Sequence, residues 1–295
     1  MESIPYDKRS GKIWFNGKTV DWADANIHIL NHGLHYASCV FEGERVYDGE
    51  IFKLEEHTER LFYSAKRMGI KVPYSQDEIN DACKNIVNIQ KVQNGYVRPL
   101  IWRGSEMMAI SAQKNKINVA VATWEWPSYF TKEDRLKGIS LQTAVWKRPP
   151  PDCIPTDTKA AGLYMICTLS KHEAEKNGFT DALMLDYKGR VSESTGSNIF
   201  LVINGEIHTP VPDCFLNGIT RQAVIEIAKN EGIKVIERDI YPDEIKNAEE
   251  IFLTGSAVEV TPVGKIDNQT FKVGDITAKI SSLYMKEVDP NYKDS

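Results

Sequence analysis

The sequence contains no long hydrophobic run. No uninterrupted apolar stretch among its 295 residues approaches the roughly 18 that a membrane-spanning helix requires. The N-terminal residues MESIPYDKRSGK include no apolar segment of the kind found in secretory signals. The sequence therefore predicts a protein that neither spans a membrane nor carries an export signal.

Cysteine is scarce, and basic residues are not in excess. The five cysteines are odd in number and form no C-x-x-C pair, which is typical of a reducing compartment and predicts a cytoplasmic protein. The formal net charge of −5 argues against nucleic acids and anionic membranes as partners. His32 and His35 have no nearby cysteine pair, so we expect no metal site.

Turn and periodicity patterns alternate along the chain. Asparagine or aspartate followed by glycine predicts tight hairpins at 16–17, 48–49 and 204–205. A capping-box pattern begins at Ser75, and Thr220 is expected to cap a later helix. Apolar spacing and β-branched runs predict helices over 55–69, 75–92, 160–177, 220–231 and 276–287, and strands near 95–104, 117–126, 139–145 and 181–186.

The order of these elements predicts the fold class and the domains. Strands and helices mix without the regular alternation of a doubly wound sheet, which indicates an α+β fold. The polar segment 127–137 is interpreted as a linker. We therefore expect two α/β domains, a small one over 1–126 and a larger one over 138–295 that carries Lys159.

Lys159 is the first candidate for chemistry. Small residues follow its amine in Lys159-Ala160-Ala161-Gly162, which leaves room for a planar ring. Downstream come Glu193 in a run of small polar residues and two glycine–hydroxyl turns, 218–220 and 255–257. An amine, a carboxylate for a ring nitrogen, and N–H and hydroxyl donors for a phosphate are the groups that hold pyridoxal phosphate. We therefore hypothesise an enzyme that acts on amino acids.

Each of these residues alone has a simpler interpretation. Lys159 is equally typical of a surface lysine at a helix start, and Glu193 of a solvated hairpin. Arg60, a possible partner of an anion, can be a solvated helix residue, and Tyr164, which could reach a phenolic oxygen of the cofactor, can be a half-buried helical tyrosine. The aromatic residues of the first half can form a core as readily as a pocket for an apolar side chain. Only their combination favours a site.

A series of ordered motifs resembles those of the fold-type IV pyridoxal-phosphate enzymes, and most closely the branched-chain-amino-acid aminotransferases. The resemblance covers about residues 12–290. The motifs are WFNG at 14–17, HYASCVFEG at 35–43, EHTERL at 56–61, YVRPL at 96–100, TDTKAAG at 156–162, SESTGSN at 192–198, GITR at 218–221 and GSAVEVTP at 255–262.

The resemblance implies a role for each matching position. Lys159 would be the Schiff-base lysine and proton shuttle, and Glu193 would bind the pyridine nitrogen. Tyr164 would bind the O3′ oxygen, while Arg60, Ile219, Thr220 and Ser256 would hold the phosphate. Tyr96 with the backbone at Ser256 and Ala257 would bind the substrate α-carboxylate, Arg98 would meet the side-chain carboxylate of glutamate, and Phe41, Trp126 and Tyr129 would wall the aliphatic side chain.

The resemblance also implies an assembly and a reaction. Tyr36, Met108 and Ile110 fall where a second subunit completes the pocket in this family, so a homodimer is the minimum assembly expected. The implied reaction is ping-pong transamination of leucine, isoleucine and valine with 2-oxoglutarate. Two segments depart from the family pattern: the loop 104–110 contains Glu106 and two methionines instead of many glycines, and Glu44 precedes Arg45 where an aliphatic or small residue is usual.

Several other functions remain open from the residues. A D-amino-acid aminotransferase or an (R)-amine transaminase would share the fold, as would, less favoured, an aminodeoxychorismate lyase. A non-catalytic binding protein is the alternative from another class, with Lys159 and Glu193 in solvent and the aromatic residues in the core. Assays of L- and D-substrates, and the yellow colour of bound pyridoxal phosphate, separate these possibilities.

Overall fold

The computed structural model describes residues 4–126, 136–289 and 291–292. Within these residues the chain divides into two compact units. The first takes its residues from Met1–Pro127 and Thr158–Gly162, and the second from Ser128–Asp157 and Leu163–Ser295. Helices and sheets mix in both units, so the α+β class expected from the sequence is confirmed.

The described part of the first unit contains an antiparallel sheet of seven strands. Its strands are β1 (Lys12–Phe15), β2 (Lys18–Asp21), β3 (Cys39–Phe41), β4 (Glu44–Tyr47), β5 (Glu50–Ile51), β6 (Gly95–Arg103) and β7 (Ile117–Glu125). The order is β2-β1-β7-β6-β4-β5, and β3 also pairs with β6. The long pair β6–β7 runs through the middle and places Tyr96, Arg98 and their cross-strand neighbours on one face.

Local turn chemistry sets the hairpins of this sheet. Asn16-Gly17 joins β1 to β2, and Asp48-Gly49 joins β4 to β5. All four residues have positive φ, between 48° and 84°, as the tight turn predicted from these residue pairs requires.

Three helices of the first unit are described: α1 (His32–Tyr36), α2 (Leu54–Arg67) and α3 (Gln76–Gln90). Ser75 caps α3, and Glu78 completes the predicted capping box. α2 packs against α3, and α3 lies against β1, β6 and β7. The apolar stripes of α2 and α3 are fully buried, with Leu61, Ile79 and Ile86 among the most buried side chains.

The described part of the second unit contains a nine-stranded sheet. Its strands are β8 (Ile139–Thr143), β9 (Asp181–Leu185), β10 (Val191–Ser194), β11 (Asn198–Ile203), β12 (Glu206–Thr209), β13 (Val235–Glu237), β14 (Glu250–Gly255), β15 (Glu259–Ile266) and β16 (Gln269–Thr270). The order is β10-β9-β8-β15-β14-β11-β12-β13, and β16 pairs with β15. Glu193 of β10 also pairs with Asn198 of β11, which closes the first six strands into a ring.

A core of aliphatic side chains lies on this sheet, and three helices accompany it. Leu141, Leu183, Leu201 and Leu253 are fully buried members of one cluster. The Asn204-Gly205 hairpin joins β11 to β12 as predicted. The helices are α4 (Met165–Lys176), α5 (Ile219–Asn230) and α6 (Asp275–Val288).

Three expectations from the sequence differ from the structure. Residues 160–177 form a 3₁₀-helix over Ala161–Tyr164 followed by α4 instead of one helix. Thr220 lies in the first turn of α5, because Gly218 is the N-cap residue and has the extended backbone of that position. Thr158–Gly162 belongs to the first unit, not to a C-terminal domain, because Ala160 bridges to Val40 of β3.

The 127–137 linker expected from the sequence lies mostly outside the described residues and stays a prediction. No helix in the described ranges combines the length and the apolar character needed to cross a bilayer.

Candidate active site

Lys159 lies beside β3 in the first unit. Its backbone N–H donates to Oγ of Ser64 at 3.0 Å, and its carbonyl accepts from the N–H of Phe41 at 3.2 Å. These contacts tie a short extended segment to α2 on one side and β3 on the other. The Nζ atom lies 5.1 Å from the centre of the Phe41 ring. The amine is therefore held at a defined place against an aromatic surface.

The surroundings of Lys159 make its amine less basic than an ordinary lysine. Although the residue as a whole is half-buried, burial of the amine is the largest cause that lowers its pKa. The negative charge of Glu42 opposes this effect, while the charge of Arg60 adds to it. A larger fraction of the amine is thus neutral near physiological pH, and the neutral form is the nucleophile and the base.

A group of aromatic side chains and one arginine lies on the same face of the first unit's sheet. Tyr96 packs edge-on to Trp126, with ring centres 4.6 Å apart. The guanidinium of Arg98 lies 4.7 Å from the ring centre of Phe41 and 5.4 Å from that of Tyr96. Nε of Arg98 is buried and has no hydrogen-bond partner in the described part of the chain. A buried donor of this kind fits an anionic ligand.

Arg60 of α2 is fixed by a buried carboxylate. Its Nε and Nη2 donate to the two oxygens of Glu42 at 2.7 and 2.8 Å. Glu42 also accepts from Nδ1 of His57 at 2.7 Å. The structure therefore brings Arg60 into the same unit as Lys159 and Arg98, within an ordered group of charges.

Tyr36, Met108 and Ile110 form a separate group in the first unit. The phenol of Tyr36 donates to the carbonyl of Met108 at 3.2 Å. Tyr36 is 45% exposed and Ile110 is 81% exposed, unusually high values for large apolar side chains. Tyr129, expected in the wall of the pocket, lies outside the described residues.

Glu193 is a buried carboxylate in the second unit. It lies on β10, and its Oε1 is 3.4 Å from Nε of Arg148, which is also buried. Arg148 is further held by the carbonyl of Cys214 at 3.4 Å and by Sγ of Cys167 at 3.5 Å. The negative charge of Glu193 thus has a positive partner away from solvent, which offsets part of the cost of burying a carboxylate.

Asn198 connects Glu193 to the start of α5. Its Nδ2 approaches Oε2 of Glu193 at 3.4 Å and donates to the carbonyl of Leu216 at 3.0 Å. Its Oδ1 accepts from the N–H of Gly218 at 3.1 Å. A Cβ on Gly218 would lie 2.3 Å from this oxygen, so the close approach requires glycine at this position.

The first turn of α5 offers backbone donors. Gly218 gives no side-chain cap, so the first N–H groups, including those of Ile219 and Thr220, keep their capacity to bind an anion, which the helix dipole favours. The hydroxyl-bearing side chain of Thr220 is buried in the same turn.

Ser256 and Ala257 lie in the turn between β14 and β15 and are half-buried. A Cβ on Gly255, just before them, would lie 3.3 Å from Oγ of Ser197 and 3.5 Å from the carbonyl of Gly196. This turn therefore adjoins the loop between Glu193 and Asn198. Oγ1 of Thr254 is buried and has no hydrogen-bond partner among the residues that the structure describes.

Tyr164 ends the 3₁₀-helix that precedes α4. Its carbonyl accepts from Oγ1 of Thr168 at 3.1 Å, and its phenol acts electrostatically on Arg148. Tyr164 and Glu193 thus both act electrostatically on the same guanidinium in the second unit.

Each unit by itself offers groups that a phosphorylated pyridine aldehyde requires. The second unit offers a buried carboxylate for a protonated ring nitrogen, a phenol, and an uncapped helix start beside a serine turn for a phosphate. The first unit offers a lysine amine of lowered pKa and Arg60, a cation for the phosphate. These are the groups that pyridoxal phosphate requires.

Four residues important to this geometry received no role from the sequence. Glu42, His57 and Asn198 lie inside motifs used for the resemblance, but their partners are distant in the chain or in another element. Arg148 lies in the polar stretch before three prolines, and its partner Glu193 is in a strand far along the chain. The only sequence signal for Asn198 is its place beside Glu193 in SESTGSN.

One group of side chains in the described part of the chain has the spacing of metal ligands. It contains Asp186, Asp213 and Cys214. Arg190 forms ion pairs with Asp186 at 2.6 Å and Asp213 at 2.7 Å. Because the guanidinium already neutralises the two carboxylates, this group is explained as a buried ion-pair network.

The chain resembles known proteins over nearly its whole length. The family model of amino-transferase class IV matches residues 39–266. A branched-chain-amino-acid aminotransferase of Pseudomonas aeruginosa is 40% identical over 283 residues, which cover 94% of this chain and 92% of that protein.

Two solved structures show the same fold. The branched-chain amino acid aminotransferase of T.th. with pyridoxamine 5′-phosphate has a TM-score of 0.93 and 36% identity, with 96% of each chain covered. The complex of that enzyme with N-(5′-phosphopyridoxyl)-L-glutamate has a TM-score of 0.90 and 36% identity, with 95% of this chain and 94% of that chain covered. This chain belongs to the class IV aminotransferase family.

Proposed function

We propose that the protein is a pyridoxal-phosphate-dependent aminotransferase that moves amino groups between leucine, isoleucine or valine and 2-oxoglutarate. Its membership of the class IV family and its likeness to branched-chain enzymes over nearly the whole chain support this activity. The observation that carries the proposal is the amine of Lys159, which burial makes less basic and which lies 5.1 Å from the Phe41 ring.

The residues assigned to the cofactor are those that match the family's motifs. Glu193, which is paired with Arg148, would contact the protonated pyridine nitrogen, and Tyr164 would contact O3′. Arg60, the N–H groups of Ile219 and Thr220, and Ser256 hold the phosphate. When bound, pyridoxal phosphate supplies an aldehyde that condenses with amines and a ring that withdraws electrons from the substrate Cα.

Substrate recognition is assigned mainly to the first unit. Tyr96 and the backbone at Ser256 and Ala257 bind the α-carboxylate. Phe41, Trp126 and Tyr129 pack against an aliphatic side chain, and Arg98 binds the side-chain carboxylate of glutamate. The contact of the Arg98 guanidinium with the Phe41 ring supports one pocket for both kinds of side chain, because the apolar and cationic surfaces adjoin.

Lys159 is the proton-transfer group. With pyridoxal phosphate bound, its amine would accept the proton that leaves the substrate Cα and would give it back in the half-reaction with the second substrate. The lowered pKa of Lys159 supports this role, because a base must be neutral at the working pH to accept a proton. The hydrogen bonds at its N–H and carbonyl orient the side chain for the transfer.

We further propose a cytoplasmic homodimer as the minimum assembly. Tyr36, Met108 and Ile110 then reach the active site of the second subunit. The exposure of Tyr36 and Ile110 in a single chain supports this assignment, because it leaves both side chains available for contact with a second subunit.

A substrate panel tests the proposed function. The purified protein, saturated with pyridoxal phosphate, is assayed with L-leucine, L-isoleucine, L-valine, their D-enantiomers and a chiral amine, each with 2-oxoglutarate as acceptor. We expect glutamate from the three L-amino acids and at least about a hundredfold less from the D-enantiomers. Equal or faster reaction with D-amino acids or the amine would contradict the proposal.

A further inference from the structure

Glu42 is the most thoroughly bound carboxylate in the described part of the first unit. Its side chain is completely buried. Oε1 accepts from Nε of Arg60 at 2.7 Å, while Oε2 accepts from Nη2 of Arg60 at 2.8 Å, from Nδ1 of His57 at 2.7 Å and from the N–H of Gly43 at 3.2 Å. A two-point contact between a carboxylate and a guanidinium fixes the plane of the arginine as well as its position.

The charge states in this group follow from burial and from the arginine. Burial alone would raise the pKa of Glu42, but the Arg60 and His57 contacts outweigh it and lower the pKa. Burial lowers the pKa of His57, so the ring is neutral near physiological pH and carries its proton on Nδ1. The group is therefore an ion pair of Glu42 and Arg60, oriented by a neutral histidine.

Glu44 offers an internal comparison, because it is equally buried only two residues away. Neither of its oxygens has a hydrogen-bond partner among the described residues. Burial first, and the charge of Glu42 second, raise the pKa of Glu44 well above its ordinary value. Burial therefore favours the neutral form of Glu44, whereas the contacts with Arg60 and His57 favour the ionised form of Glu42.

We propose that Glu42 is a positioning residue for transamination: its buried carboxylate holds the Arg60 guanidinium in the orientation that binds the cofactor phosphate. The proposal rests on the proposed function, in which Arg60 is a phosphate ligand. His57 acts in turn on Glu42, since its Nδ1–H fixes the carboxylate from the side opposite Arg60. Neither residue touches the reacting atoms.

The same carboxylate also influences Lys159. The groups that act on the amine include the charges of Glu42, Arg60 and Arg98, the titratable ring of His57, the phenol of Tyr96 and the ring of Phe41. Among the charges, that of Glu42 favours the protonated amine and that of Arg60 opposes it. Removing Glu42 should therefore lower the pKa of the nitrogen at position 159, and removing Arg60 should raise it.

Three variants of the full-length holoenzyme test the proposal: Glu42→Gln, Arg60→Gln and the double variant. The first readout is the dissociation constant of pyridoxal phosphate, measured by equilibrium dialysis. We expect each single change to weaken binding by about tenfold or more, because a buried charged group loses its partner. If Glu42 acts through Arg60, the double variant binds within about twofold of Arg60→Gln alone.

The second readout is the pH at which the absorbance of the bound cofactor changes. Glu42→Gln is expected to move this transition to lower pH and Arg60→Gln to higher pH. A role confined to folding would not move the transition in opposite directions. Additive effects on affinity, or a transition at the wild-type pH in Glu42→Gln, would overturn the proposal.

Glu44→Gln is the matched control. It removes a carboxyl group of the same depth in the neighbouring strand, but one that is neutral, so cofactor affinity should stay within about twofold of wild type. If Glu42→Gln does not fold, Arg60→Lys replaces it: the lysine keeps the charge but cannot make the planar two-point contact. Wild-type affinity in Arg60→Lys would overturn the proposal, and a loss of about fivefold or more would support it.

The proposed function and the positioning role of Glu42 can be contradicted separately. If wild-type protein binds no pyridoxal phosphate at Lys159, the proposed function fails. If wild-type protein binds it there and Glu42→Gln binds it equally well, only the positioning role of Glu42 fails.

Discussion

Nε of Arg148 lies 3.4 Å from Oε1 of Glu193, and both side chains are buried in the second unit. The ion pair links the residue just before the three prolines 149–151 to the strand that closes the ring of the sheet. The guanidinium offsets the cost of burying the carboxylate that is assigned to the pyridine nitrogen.

Replacing Arg148 should destabilise the protein, because the change removes one partner of this ion pair. Arg148→Met is expected to lower the free energy of unfolding by about 3 kcal/mol, because it leaves Glu193 as an uncompensated buried charge. Urea denaturation of the cofactor-free protein measures this loss. The double change with Glu193→Gln should recover part of it, and Arg238→Met, which breaks the half-exposed pair with Glu244, should cost less than about 1 kcal/mol. Equal losses in the single and double variants would contradict the coupling.

The raised pKa of Glu44 predicts a pH dependence of stability. A carboxyl whose folded pKa is raised contributes stability below its unfolded pKa and loses it as the pH rises toward the folded pKa. Glu44→Gln abolishes this loss. The variant should match wild type near about pH 4.5 and gain on it by up to about 1.4 kcal/mol per pH unit above that. Denaturation midpoints at about pH 5, 6 and 7 test this, and a difference that is constant with pH would count against it.

Replacing Arg98 should lower the activity toward acidic substrates more than the activity toward aliphatic ones. Its Nε is buried without a partner in the described ranges, and its guanidinium lies 4.7 Å from the Phe41 ring centre. Arg98→Met is expected to lower kcat/KM for 2-oxoglutarate about a hundredfold and that for 4-methyl-2-oxopentanoate less than about fivefold. Single-turnover measurements with each 2-oxo acid provide the comparison. Equal losses of kcat/KM for both 2-oxo acids would show that Arg98 does not bind the side-chain carboxylate.

The exposed apolar surface of the first unit should lie in a subunit interface. Leu34 of α1 is 63% exposed, and Ile110 is 81% exposed. Leu34→Glu is expected to shift the dimer toward monomer and to lower activity by about tenfold or more, because a charge replaces an apolar contact at the interface. Sedimentation velocity gives the assembly state. Ile89→Glu, at a 50% exposed position on α3, is the control and should leave the dimer intact.

Local features of the fold followed from the sequence because their causes are local. Asn16-Gly17 and Asp48-Gly49 form hairpins, since the turn needs residues that tolerate positive φ, and Ser75 with Glu78 caps α3 through contacts three residues apart. The N-cap of α5 is Gly218 instead of the predicted Thr220. Thr220 is a good cap by residue type, but the approach of Asn198 to Gly218 sets the position of the cap.

Long-range contacts were not predictable from one sequence. Ala160 bridges to Val40, so Lys159 belongs to the first unit although the patterns near it predicted the second. The charges that tune Lys159, Arg60 and Glu193 come from Glu42 and Arg148, which no spacing rule connects to them. The ordered motifs gave candidate residues for the site. The carboxylate of Glu42 and the guanidinium of Arg148, which orient those residues, could be identified only from the three-dimensional structure.

The most direct test of the account is the attachment site of the cofactor. The protein saturated with pyridoxal phosphate is reduced with borohydride, digested and analysed by tandem mass spectrometry. The account predicts a phosphopyridoxyl group on Lys159, and its loss in Lys159→Ala together with transaminase activity. A phosphopyridoxyl group on another lysine, or none on the saturated wild-type protein, would contradict it.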